Sequence, residues 1–234
     1  MRDHGPPDED RSVASPGEDA DSVAPQEEDT PAVGPALRAG VALFNEGHRL
    51  AAHEPWEAAW LPLSAGDDER LLHGLIQFAA ATHHARTGNE SGAVGTAEGA
   101  VGYLDGLGDA RHGLALDPIR RWCRAIASDP SVVDRESPPT LRIDGAEIGF
   151  EDLDLEGMIA AAPALAEATG IGSESTMETA GELVRAERGT GRTRVTELLV
   201  AYLREPATRP QVAARIADHV DRERRKRDDV DGLF

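Results

Sequence analysis

His53, Glu54 and Glu57 stand together in the stretch FNEGHRLAAHEPWEAAW, residues 44–60, beside Trp56 and Trp60. One imidazole and two carboxylates at close spacing can hold a cation, move a proton or ligate a metal. The order His-Glu-x-x-Glu resembles the zincin motif His-Glu-x-x-His, but Glu57 occupies the place of the second histidine, so the metalloprotease reading fails. What remains is His53 and Glu57 at i, i+4, sharing one helix face. Pro55 restricts this pairing, because proline lacks an N–H and clashes with the carbonyl four residues back. A helix that starts near Leu50 keeps the pair; one that starts at Pro55 leaves His53 outside it.

A second set of polar residues lies in the segment 67–86. His73, Gln77, Ala80 and His84 form one stripe at helical spacing, next to an apolar face of Leu72, Ile76, Ala79 and His83. A short turn at 61–67 makes the helices on either side antiparallel neighbours. Counting outward from that turn sets Glu57 level with His73, and His53 level with Gln77. His84 falls about 10 Å further along, at 1.5 Å per residue, toward Asn45 and His48. The expected polar pocket is therefore lined by His53, Glu54, Glu57, Gln77 and His84. The three-ligand set that fits the register is His53, Glu57 and His73, for a divalent metal. A hydrogen-bonded network, a metal site and an acid–base pair all satisfy the rule that buried polar groups need partners. If the carboxylate of Glu57 serves a ligand, its loss harms function more than stability.

The elements that must position these groups read as helices. Leu37, Val41 and Phe44 recur at i, i+4, i+7, and Gly47 follows where a C-terminal glycine cap belongs. A second helix runs from about Leu50 to Trp60 and stops before Pro62. The third spans 67–86, the fourth 91–107 and the fifth 117–128. Beyond a small hairpin turning on Asp144-Gly145, helices are expected near 152–168, 175–188, 194–204 and 209–227. In the fourth helix Gly92, Gly95, Gly99, Gly102 and Gly106 fall within an arc of about 80°. Each glycine costs about 1 kcal/mol against alanine. Close approach of another helix to that face is the expectation, a weak and irregular helix the alternative.

Composition bounds the rest. The chain has 234 residues, with 43 acidic against 24 basic side chains and a net charge of -19. Lys226 is its only lysine. Such a charge opposes binding to nucleic acid or to an anionic membrane. Many carboxylates and almost no lysine suit a halophilic protein in a salt-rich cytoplasm, where screening quiets their repulsion, although a codon bias toward arginine would produce the same shortage of lysine. Cys123 is alone, so no intrachain disulfide forms. No signal-like run or spanning apolar stretch is present, and the expectation is a soluble cytoplasmic protein. Residues 1–34 are acidic, proline-rich and poor in large apolar groups, and read as a disordered tail. Residues 35–128 hold all three tryptophans and form the bundle; residues 129–234 return to strong acidity and form a helical C-terminal extension.

The segments FNEG, AHEPWEAAW and GLIQFAAATHHARTGNESGA, taken together, resemble the domain-of-unknown-function 309 family of small all-helical proteins. The resemblance covers residues 35 to about 110. It marks Phe44, Gly47, His53, Glu54, Glu57, Trp60, Gln77, His84, Asn89, Gly92 and Ala93, and it does not mark His73. It implies a compact helical bundle and brings no established activity. The reading is thus all-α: an antiparallel bundle of about five helices with the extension and the tail. Three functions stay open, namely binding of a small molecule or ion, metal-assisted or acid–base hydrolysis, and a structural or partner-binding role.

Overall fold

The computed structural model describes residues 33–191 and 193–231, so the acidic stretch 1–32 lies outside the described residues. Helix α1 (Val33–Asn45) begins where the acidic composition ends. It is followed by α2 (His53–Trp60), α3 (Asp67–Arg86), α4 (Glu90–Leu104) and α5 (Asp117–Ser128). The C-terminal half adds α6 (Leu155–Thr169), α7 (Glu174–Glu187), α8 (Arg194–Arg204) and α9 (Arg209–Asp231). The protein is all-α in its packing. Among the described residues it also has a small antiparallel sheet of four two-residue strands, β1 (Ala110–Arg111), β2 (Leu114–Ala115), β3 (Arg142–Ile143) and β4 (Ala146–Glu147), in that order. Among the described residues no helix is long and apolar enough to cross a membrane.

The core is one continuous apolar cluster running from Ala36 to Val220, rich in alanine and leucine. Small side chains let the helices lie close, which suits a chain with few aromatics. Helix α6 packs along α1 and touches α2, so the C-terminal half closes over the first two helices. Trp56 is the largest fully buried side chain, and its indole N–H donates to the Leu37 carbonyl at 3.2 Å. Gly40 of α1 makes room for it: a Cβ there would meet the indole Nε1 at 2.2 Å and the Ala52 carbonyl oxygen at 2.7 Å.

Both hairpins turn on a left-handed pair, His112-Gly113 and Asp144-Gly145, as two-residue turns of this hand require. The first of these was not foreseen. The sheet is tied to the bundle at two points. Asp68 at the start of α3 accepts from Arg111 at 2.6 Å and meets His112 at 2.8 Å. Asn45 at the end of α1 donates to the carbonyls of Leu141 and Ile148, at 3.0 and 2.9 Å, and accepts from the Leu141 N–H. The asparagine of FNEG is therefore a clamp across nearly a hundred residues of chain.

Two expectations about the helices are corrected. Helix α2 starts at His53, three residues later than Leu50, because residues 49–52 form turns in which the Leu50 and Ala51 carbonyls accept from His53 and Glu54. Pro55 then lies in the first turn, where proline is tolerated. The glycine face of α4 is not a close-packed seam. A Cβ at Gly95 or Gly102 would meet nothing within 4 Å; α3 approaches Gly99, through Gln77, and reaches Gly106, beyond the end of α4, only through the Arg70 side chain at 4.0 Å. The buried face of α4 is instead Ala93, Ala97, Ala100 and Leu104. Gly95→Ala and Gly102→Ala are accordingly expected to raise stability, by about 0.5–1 kcal/mol each. Chemical denaturation of the two variants checks this, and a loss in either would mean a contact on that face.

Candidate functional site

Glu54 is the second residue of α2, just before Pro55, and its side chain is partly buried at the point where α2 meets the α6–α7 turn. That turn is tight because Gly170 caps α6 in the left-handed conformation and Gly172 repeats it. Ser173 then caps α7, its side chain accepting from the Thr176 N–H. The reversal brings Glu167, near the end of α6, and Glu174, the first residue of α7, to Glu54. Carboxylate oxygens of the three lie within 4.8 Å of one another. Glu54 and Glu174 sit in first turns, where the helix dipole favours negative charge; Glu167, in a last turn, has no such help.

Beside two other carboxylates, Glu54 does not ionise freely. Burial first, then the charge of Glu167 and a hydrogen bond with it, then Glu174 and Glu57, push the Glu54 carboxyl up to about 7. Glu54 therefore keeps its proton to much higher pH than an ordinary carboxyl.

Glu54 forms part of the wall of two clefts. The first, about 470 Å³, has a floor of Pro35, Ala36, Pro55, Ala58, Ala160, Pro163 and Ala164 from α1, α2 and α6. Its polar rim is Glu54, Glu156, Glu174, Glu178, Arg185 and Arg188. Both arginines bond Glu156, Arg185 at 3.0 Å and Arg188 at 2.5 Å. The second cleft, about 500 Å³, lies between the α1–α2 turn, the end of α3 and the end of α6; His48, Arg49, His53, Glu54, His83, Arg86 and Glu167 line it.

The residues expected to meet do so only in part. His53 and Glu54 share the second cleft. Glu57 does pair with His53 at 3.9 Å, but its side chain is 47% exposed and lines neither cleft. Gln77 lies over Gly99 of α4, so its stripe faces α4 rather than α2. His84 bonds Asn89, the cap of α4, at 3.2 Å and stays outside the clefts. His83, expected in the core, lines the second cleft instead. The set His53, Glu57 and His73 is not gathered: the described residues contain one group with ligand spacing, and it is Glu54, Glu167 and Glu174. His73 is held elsewhere, stacked on Tyr103 at 3.8 Å, 4.7 Å from Trp60 and 3.4 Å from Glu69. The same Glu69 accepts from the Trp60 indole at 2.9 Å, which fixes that ring over His73.

Residues 37–96 match the family model described as a domain of unknown function, DUF309. About a quarter of the chain is thus similar to DUF309. No curated protein matches it. The DUF309 match spans most of α1, then α2, α3 and the first half of α4, and includes Glu54 and the cleft residues Arg49 and Arg86. Glu167 and Glu174 lie outside it. The carboxylate cluster thus joins one side chain of the matched segment to two from helices that follow it.

Proposed function

We propose that this protein binds a small cationic ligand at Glu54, Glu167 and Glu174, with the apolar part of the ligand in the first cleft. The observation that carries this reading is the convergence of three carboxylates from three helices beside an apolar floor. A cleft of about 470 Å³ is of ordinary size for a small-molecule site, and such sites are mostly apolar with a few placed polar groups. The rim arginines are engaged by Glu156, whereas the three glutamates repel one another, so a positive group is the complement this end lacks. A protonated amine would relieve that repulsion and draw the last proton from Glu54. Net negative charge over the whole chain steers cations toward the site.

A second reading has its own support. Carboxylate oxygens within 4.8 Å of one another suit a hard divalent cation such as Mg²⁺, Mn²⁺ or Ca²⁺, which take oxygen ligands. Titration calorimetry of the full chain with butylamine, choline and Mn²⁺, at pH 6 and pH 8, separates the two. Amine binding that strengthens from pH 6 to pH 8, as Glu54 loses its proton, and weakens about tenfold or more in Glu174→Gln, is the expected result. Binding of Mn²⁺ without amine binding transfers the site to the metal reading. Absence of both at pH 8 would overturn the proposal.

A further inference from the structure

The second cleft carries a different chemistry. Arg49, in the turn before α2, and Arg86, the last residue of α3, line it together with His48 and His83. Among the described residues neither arginine has a carboxylate partner, although the chain holds 43 acidic side chains against 24 basic ones. The two arginines share their cleft with Glu54 and Glu167 and pair with neither. Burial and the neighbouring Arg86 both lower the pKa of Arg49, so their closeness costs energy.

Ordinary structural roles do not account for that closeness. The Arg49 guanidinium lies 6.0 Å from the centre of the Phe44 ring, a contact that uses its face but not its N–H groups. Its Nε is buried without a hydrogen-bond partner. Arg86 is not needed to cap the carbonyls of His83 and His84 at the end of α3, which have other donors. The Thr87 hydroxyl donates to both carbonyls, and the Asn89 N–H donates to that of His84. What two guanidiniums lining one cleft without an ion-pair partner match is an oxyanion, which accepts from arginine through two oxygens at once.

We propose that the cleft between the α1–α2 turn and the end of α3 binds a phosphoryl group, through Arg49 and Arg86. A phosphate dianion balances the two positive charges, which a single carboxylate does not. Glu54 and Glu167 on the facing wall would reject a second anionic group, so the remainder of the ligand there is a hydroxyl or amine donor. This inference rests on Arg49 and Arg86; the cleft shares Glu54 and Glu167 with the proposed cationic site, whose third acid, Glu174, lines the other cleft, and the arginine variants separate the two readings.

The test is titration of the full chain with inorganic phosphate, methyl phosphate and acetate at pH 7.5 and constant KCl. Arg86→Gln and Arg49→Gln are compared with Arg124→Gln, which removes an equal charge on α5. Phosphate should bind the native chain more tightly than acetate does. Binding should weaken about tenfold or more in Arg86→Gln and in Arg49→Gln, and little in Arg124→Gln. Arg86 is exposed at a helix end, so its variant keeps the fold and decides the matter even if Arg49→Gln unfolds. Methyl phosphate binding as tightly as inorganic phosphate supports an esterified ligand; tighter binding of the free ion supports phosphate itself. No phosphate binding, acetate binding as tight as phosphate, or equal losses in Arg124→Gln and Arg86→Gln would each overturn the proposal.

Discussion

Trp56→Ala is expected to destabilise the protein by about 3–5 kcal/mol, the loss typical of a large aromatic removed from a packed core. The indole is fully buried among α1, α2 and their connecting turn, and its N–H satisfies the Leu37 carbonyl. A domain of ordinary stability has about 5–15 kcal/mol in all, so this one change takes a large share of it. Gly40→Ala attacks the same contact from the other side. Its methyl would fall 2.2 Å from the indole nitrogen and 2.7 Å from a backbone oxygen, and neither neighbour is the free end of a flexible chain. Overpacking of this kind costs about 1–3 kcal/mol, occasionally more. Together the two changes should be strongly non-additive, because the alanine at 40 fills part of the space that the missing indole leaves. Urea denaturation of the four proteins of this cycle is the check. A double variant as unstable as the sum of the two single ones would show that Gly40 is not shaped to Trp56.

That contact also shows how far the sequence could be read. The helices were legible because their apolar spacing and breakers agree: Leu37, Val41 and Phe44 with Gly47, and Trp60 with Pro62, mark ends that the structure keeps. The hairpin at Asp144-Gly145 was legible from its turn pair. His112-Gly113 was not, since a histidine at positive φ carries no comparable signal. The register argument failed for a reason of length. Helix α2 has eight residues and meets only part of α3, while α4 runs beside α3 and takes the stripe of His73 and Gln77. The two partners of Glu54 were hidden more deeply. Glu167 and Glu174 stand more than a hundred residues away, and nothing in their spacing points to α2. Only the docking of α6 on α1 brings them there. Tight glycines at 170 and 172 were the one local sign that two helix ends would be folded back on each other.

Glu54→Gln is expected to move stability and binding in opposite directions. In the unfolded chain this carboxyl titrates near its model value of 4.5, and in the folded protein near 7. Its folded pKa is raised, so the native state holds the proton more tightly than the unfolded one. Stability is then fully kept below about pH 4.5, falls as pH rises between the two values, and stays reduced above about 7. The carboxyl is only partly buried, and solvent screens part of this effect, so about 1 kcal/mol is the expected deficit at pH 8. Glutamine keeps the shape and carries no charge. The variant should therefore match the native protein near pH 4 and exceed it by about 1 kcal/mol at pH 8, with the difference developing between those limits. Over the same range it should lose amine binding by about tenfold or more, because the group that strengthens the cluster's charge at high pH is gone. The paired measurement is a pH series of thermal melts and a calorimetric titration at pH 8. A variant less stable than the native protein at pH 8 would mean that the Glu54 carboxylate is itself a structural partner, and its repulsion by Glu167 and Glu174 would no longer argue for a ligand.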